Sequence, residues 1–217
     1  MSKNISQVAA LQLHEALVAS QKVVNVEVAL DDLENLKKSG YKLCFAKKVG
    51  DSFNVVWESY SDYLFTNSFS WTPQYELFGT NTFQSGVEVR ATTNIQPCNL
   101  GNQCTLNEFG ILEAQVSGGP DTSMTMVNEY GSIHPGVNQL STGIDGRTTM
   151  TPIYVAENSI VTGEVVLTPK EEVRVWFQQN IETSTMISDS TSNYIDLNLT
   201  QINELSCKYE NQKWTLV

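Results

Sequence analysis

Histidine is scarce in this chain: His14 and His134 are the whole supply. Hydrolysis by a serine or cysteine nucleophile needs a base beside it, and imidazole is the usual one. His14 falls in an N-terminal segment that reads as helix. His134 precedes Pro135-Gly136, a rigid turn able to present its ring at a surface. No serine lies in a G-x-S-x-G setting and no cysteine in a protease-like one. There is no glycine-rich phosphate loop, and Gly118-Gly119-Pro120 reads as a turn. Carboxylates are plentiful enough to supply a glycosidase pair, but composition does not select which two would face each other. The expectation is a protein that is not an enzyme.

Positive charge is also short. Thirteen Lys and Arg stand against twenty-four Asp and Glu, a net charge of −11. Phosphate binding needs a basic stripe, so a nucleic-acid partner is not expected. Seven of the thirteen basic residues precede Val49, and between Val49 and Gly146 only Arg90 is basic. The body beyond the first fifth is therefore strongly acidic, which reads as a solubility device.

Long apolar runs are missing. No stretch approaches the roughly 20 apolar residues a membrane span needs. The opening segment, MSKNISQVAALQLHEALVAS, has no uninterrupted apolar core and no cleavage pattern. The expectation is a chain without transmembrane segment or secretory leader, hence cytoplasmic. The sequons at Asn4 and Asn198 then carry no weight. The four cysteines, Cys44, Cys98, Cys104 and Cys207, default to free thiols in a reducing compartment. Cys98 and Cys104 flank LGNQ in an apparent hairpin and read as packed thiols rather than a disulfide. C-x5-C without a second pair is a poor zinc framework.

The metal question stays open. His134 with Glu129 or Asp145 would make an oxygen-rich site with one imidazole. In GIDGRTT, Asp145 sits between glycines but lacks the regular acidic ladder of a calcium loop, so an Asp-Gly turn is favoured.

What is present is β-pattern. At 217 residues and 41% hydrophobic, the chain can bury a core without staples. Residues 5–19 read as an amphipathic helix with Ile5, Val8, Ala9, Leu13, Ala16 and Leu17 on one stripe. VVNVEVAL alternates as a half-buried strand. Asp31 with Glu34 suggests a capping box for a short helix ending at Gly40. Tyr41–Val49 and Phe53–Trp57 read as a hairpin around Gly50-Asp51-Ser52. Further strands are expected at Tyr75–Phe83, Val87–Thr92, Ile95–Leu100, Gln103–Leu106, Ile111–Val116, Ser123–Val127, Ile153–Ala156, Ser159–Thr168, Val173–Gln179 and Tyr194–Thr200. Leu205–Tyr209 and Lys213–Leu216 form a last hairpin around Asn211-Gln212. Many short strands with frequent turns predict a mainly β protein, an antiparallel β-sandwich with an N-terminal amphipathic helix. Residues 1–40 form the helical arm with one strand, and 41–217 the body. The arm's apolar stripe needs a cover, which predicts a homodimer.

One stretch breaks the pattern. Asn128–Thr151 shows neither helical nor strand period and reads as a long loop, which is usually functional. It is rich in Asn, Gln, Ser, Thr and Gly, a composition suited to a hydrogen-bonding rim. The aromatic run Tyr60–Phe78 could supply an apolar floor. The expected ligand-binding set is Trp71 and Tyr75 from that floor, His134, Asn138, Asp145 and Arg147 from the rim, and Tyr154 beside them.

Stretches such as YKLCFAKKV, FSWTPQYELFGTN and VRVWFQQNIETSTMI, with the helix-then-acidic-β layout, resemble small intracellular proteins of fungal fruit bodies. These include lectins, cytolysins with a sandwich body, and a pink chromoprotein of oyster-mushroom type holding a small indolic pigment. The resemblance is to overall layout and transfers no functional residue. It implies a non-enzymatic binder of a small molecule, an aromatic pigment among the candidates. The alternative is a membrane-active or carbohydrate-binding defence protein. A hydrolase would require His134 beside a nucleophile or carboxylate.

Overall fold

The computed structural model describes residues 20–188 and 193–217. The helix expected over 5–19, and with it His14 and the first sequon, lies outside the described residues. The described chain is mainly β, with one short helix, α1 (Leu30–Lys38).

Three sheets share the fold. The largest has seven strands, six of them in the order β10 (Thr148–Val155), β9 (His134–Thr142), β4 (Thr66–Thr80), β1 (Lys22–Val28), β14 (Glu204–Glu210) and β15 (Lys213–Leu216). β5 (Gln96–Pro97) adds to β4. A second sheet runs β13 (Tyr194–Asn198), β12 (Pro169–Gln179), β2 (Tyr41–Val49) and β3 (Glu58–Tyr60). A third runs β11 (Gly163–Leu167), β8 (Met124–Asn128), β6 (Asn102–Leu106) and β7 (Val116–Ser117). The expectation of antiparallel sheets needs correction, because β1 pairs with β14 and β6 with β8 in parallel. The strand of the expected N-terminal arm, β1, lies between β4 and β14 inside the large sheet.

One core joins all three sheets. Val24, Val26, Phe69, Leu77 and Val137 come from the large sheet, Leu43, Phe45, Val173 and Val175 from the second, and Leu106, Met124 and Leu167 from the third. In β1 the burial follows the sequence alternation, with Val24, Val26 and Val28 enclosed. The second sheet is covered on its other face as well. There Cys44, Ala46 and Trp176 meet Phe53, Val56, Ile181 and Ile187 from irregular chain. That cover explains why β2 is buried on both sides, a pattern ordinarily seen in central strands.

Several local expectations change. Ala29, not Asp31, stands at the helix start, and no side chain among the described residues caps it. Asp31 and Asp32 instead fill the first turn and Lys37 and Lys38 the last, favourable to the helix dipole. Phe53–Trp57 does not form the second arm of a hairpin; β2 pairs with β3 through Phe45 and Glu58. Val87–Thr92 makes only a single bridge, Glu88 to Thr185. β4 runs fifteen residues through what reads as a loop, because Thr72-Pro73-Gln74 is taken up by a bulge between Trp71 and Tyr75. The expected long loop Asn128–Thr151 holds all of β9 and the first half of β10. At the last turn, Asn211 and Gln212 both have positive φ, 52° and 59°, as a tight two-residue hairpin requires.

Candidate functional site

The interior of the large sheet holds two of the expected residues. Trp71 and Tyr75 both point into the core and are almost fully enclosed. The Trp71 indole Nε1 donates to Glu171 Oε2 at 2.7 Å, and the Lys47 ammonium reaches the same oxygen at 2.7 Å. Lys47 Nζ also lies 4.5 Å from the centre of the Trp71 ring, a cation–π contact. Lys47 is wholly buried, and its burial outweighs the pull of Glu171, lowering its pKa to about 8. Burial acts on Glu171 too. The charge and hydrogen bond of Lys47, with the Trp71 indole, nonetheless hold its carboxyl below the ordinary range.

Sequence reasoning missed Lys47 and Glu171. The signal was present for Lys47, since it continues the period of two from Leu43 and Phe45. Tyr75 accepts a hydrogen bond at its hydroxyl from Gln139 Nε2, 3.3 Å away. Trp57 packs edge-on against Trp71 at 5.6 Å. Among the described residues, Trp57 Nε1, Gln139 Oε1 and Ser141 Oγ have no hydrogen-bond partner, and Ser141 is the cross-strand neighbour of Trp71. This is an interior more polar than a β core normally tolerates.

The remaining expected residues do not gather around that interior. His134 opens β9, and its Nδ1 pairs with the backbone oxygen of Ala156 at 2.8 Å. Asn138 Nδ2 donates to Glu76 Oε2 at 3.1 Å. Asp145 and Arg147 occupy the β9–β10 turn, where Asp145 Oδ1 accepts from the Arg147 backbone N–H and Oδ2 faces Arg147 Nε at 3.5 Å. The favoured Asp-Gly turn therefore describes this loop. Strand β9 separates His134 from that turn by about 26 Å at ordinary strand rise, so His134 and Asp145 share no metal site. Tyr154 is half-buried beyond a bulge after Pro152, and burial raises its phenol pKa. Among the described residues, no group of three or more His, Cys, Asp or Glu could hold a metal ion.

A concave site exists elsewhere. Between α1, the start of β2 and the β14–β15 hairpin lies a cleft of about 420 Å³. Its aromatic surface is Phe177, Tyr209 and Tyr41, and its polar rim includes Asp32, Asn35 and Asn193. The aromatic surface is built as a stack. The Phe177 ring lies 5.4 Å from that of Trp214, nearly parallel at 13°, and 5.0 Å from that of Tyr209. Tyr63 backs Phe177 at 5.2 Å.

The rim is fixed by hydrogen bonds. Asn193 Nδ2 donates to the Tyr209 hydroxyl at 3.3 Å and to Gln212 O at 3.2 Å. The Trp214 indole donates to Asn193 O at 3.2 Å. Asp32 Oδ2 accepts the Asn211 N–H at 2.7 Å, tying helix to hairpin. Burial raises the Tyr209 phenol, with the Asn193 hydrogen bond opposing, so the group stays neutral at ordinary pH. None of these residues entered the expected set. Phe177 and Trp214 were legible as strand residues, but the cleft depends on a long-range pairing of chain ends that periodicity does not carry.

A larger hollow of about 510 Å³ lies along β1, β4 and β14, with Asn25, Ser68 and Ser206 in its lining. Among the described residues, its lining includes no aromatic side chain. Among the described residues, no helix is long and apolar enough to cross a membrane.

No protein-family model, curated protein or solved structure matches this chain.

Proposed function

We propose that this chain is a non-enzymatic binding protein for a small aromatic molecule, with a β-sandwich body and its ligand seated in the cleft over Phe177 and Tyr209. The observation that carries the reading is the pairing of a stacked aromatic wall with a hydrogen-bonded polar rim in a hollow of about 420 Å³. Ligand sites are commonly of this size and combine apolar lining with a few placed polar groups. A flat ring lies against Phe177 and Tyr209, gaining stacking contact. Polar edges of the ligand meet Asp32, Asn35 and Asn193. An indolic pigment, the ligand class implied by the layout resemblance, fits these dimensions. A cytoplasmic homodimer remains part of the proposal.

The test uses Trp214 as reporter, since its ring stacks on Phe177. Indole and tryptamine, achiral and so silent when free, are titrated into the protein while its near-ultraviolet circular dichroism is followed, with Trp214→Phe as the control for the other three tryptophans. Saturable change at one site per chain, weakened by Tyr209→Leu, is the expected result. No saturable change with either probe, or equal affinity in Tyr209→Leu, would count against the cleft.

A further inference from the structure

Three loops meet at one end of the β11-β8-β6-β7 sheet, and they present apolar side chains outward. Phe109 is 76% exposed, Val161 64%, Ile111 53% and Tyr130 50%. Soluble surfaces carry single exposed apolar residues without consequence, but a contiguous group marks an interaction site. These four are held together by backbone-stitching side chains. Asn107 Oδ1 accepts the N–H groups of Phe109 and Ile111, each at 3.1 Å, fixing the first loop. Asn128 Nδ2 donates to the carbonyls of Gly131, Ile160 and Val161, and its Oδ1 accepts the Tyr130 N–H. Glu129 N–H bonds to Leu106 O, joining the first two loops. A Cβ on Gly110 would lie 3.1 Å from the Tyr130 ring, so the Phe109 turn packs directly on Tyr130. The exposed residues thus stand on fixed backbone, and their display costs little ordering on docking.

The charge around this tip has one sign. Glu108, Glu113, Glu129 and Glu157 are all exposed there. No Lys or Arg occurs between Arg90 and Arg147, nor between Arg147 and Lys170. An occupant must therefore be apolar at its centre and positive at its outer edge.

We propose that this tip docks on a bilayer whose outermost groups are choline headgroups. Phe109, Ile111 and Val161 enter the headgroup–acyl boundary, while Tyr130 and the carboxylates meet the trimethylammonium groups. The side chains protrude from three separate loops rather than lining a groove, which suits a deformable surface. Phosphatidylserine in the bilayer opposes the acidic rim.

The test is flotation of the whole chain with vesicles of phosphatidylcholine alone. It is repeated with about a third of the lipid replaced by phosphatidylserine, a surface carrying a substantial negative potential. The wild type is expected to float with the first and less with the second. Phe109→Ser/Ile111→Ser is expected to lose binding by at least about tenfold, the loss of two buried apolar side chains. Its far-UV circular dichroism and indole titration should stay unchanged. Three results overturn the proposal: no flotation with phosphatidylcholine, equal flotation of the double variant, or preference for the anionic vesicles. A wild type that dimerises through the tip, with the dimer lost in the double variant and no flotation, also overturns it in favour of a second copy. Tip-dependent retention on a polylysine surface without flotation overturns it in favour of a basic protein partner.

Discussion

Lys47 and Glu171 share an ion pair of 2.7 Å whose ends lie in different surroundings: the lysine side chain is sealed in the core, and the glutamate retains 26% exposure. The two halves should therefore respond unequally to mutation. Glu171→Gln leaves a buried ammonium without its counter-charge, and it is expected to cost about 3–5 kcal/mol. Lys47→Met removes the buried charge and leaves Glu171 with solvent and the Trp71 indole, so its cost should be clearly smaller. Urea unfolding of the two variants measures this. Equal losses would mean that the lysine, not the pair, sets the stability of this interior.

The same pair predicts a pH dependence with a definite sign. Lys47 titrates at about 8 in the folded chain, below the 10.5 of a free lysine. Above pH 8 the unfolded chain holds a proton that the folded chain has released, so stability from this group rises with pH. It is weakest below pH 8 and fully gained only above about pH 10.5. Tyrosines and cysteines of the unfolded chain titrate from about pH 8.5 upward, whereas burial raises those of the folded chain, so the usable window is about pH 8 to 9. The thermal midpoint of wild type minus that of Lys47→Met should increase across it. A flat or falling difference would contradict the burial-driven lowering.

Ser141 gives a prediction in the other direction. Its hydroxyl is buried without a partner among the described residues. Removing an unsatisfied polar group relieves its desolvation cost, so Ser141→Ala should be neutral or stabilising by up to about 1 kcal/mol. Asn128→Ala should instead cost about 2–4 kcal/mol, because it strands carbonyls on the loops it joins. Paired chemical denaturation curves check both, and a destabilised Ser141→Ala would reveal a partner for that hydroxyl.

The thiols should be inert in the folded chain. Cys44, Cys98, Cys104 and Cys207 are all free and buried. Burial raises the pKa of Cys207 to about 12 and also raises that of Cys44, which suppresses thiolate; the hydrogen bond between Cys98 and Cys104 raises the first and lowers the second, and there enclosure alone bars the reagent. A disulfide-exchange reagent should label all four only after denaturation. Rapid labelling of any one in native protein would expose an opening that the fold does not contain.

Much of the strand pattern was readable because it rests on local alternation. β1, β12 and the β14–β15 hairpin follow it closely. β9 did not, for physical reasons. HPGVNQLST lies between β4 and β10 in the sheet and is buried on both faces, with the polar Asn138, Gln139 and Ser141 among the enclosed residues, so no alternation of apolar and polar residues marks it as a strand. Its Gly136 is required by packing: a Cβ there would come within 2.1 Å of the Phe78 ring, its cross-strand neighbour. A glycine that reads as loop is thus the socket for an aromatic side chain. Pro73 misled in the same way, since its bulge lies inside β4. The expected aromatic floor did lie together, at Trp71 and Tyr75, but in the closed core. The open aromatic wall comes instead from Phe177 and Tyr209, with Trp214 stacked on Phe177, on strands of two sheets whose meeting is a property of topology.

The central claim is a small molecule held without chemistry in the Phe177–Tyr209 cleft. The most direct measurement is the native mass of protein purified from its own source, set beside its denatured mass and its absorption spectrum. The account predicts an excess native mass of small-molecule size that is lost on denaturation, with absorbance beyond that of the protein's own tyrosines and tryptophans. A native mass equal to the bare chain, or to a whole multiple of it, with only protein absorbance would contradict it.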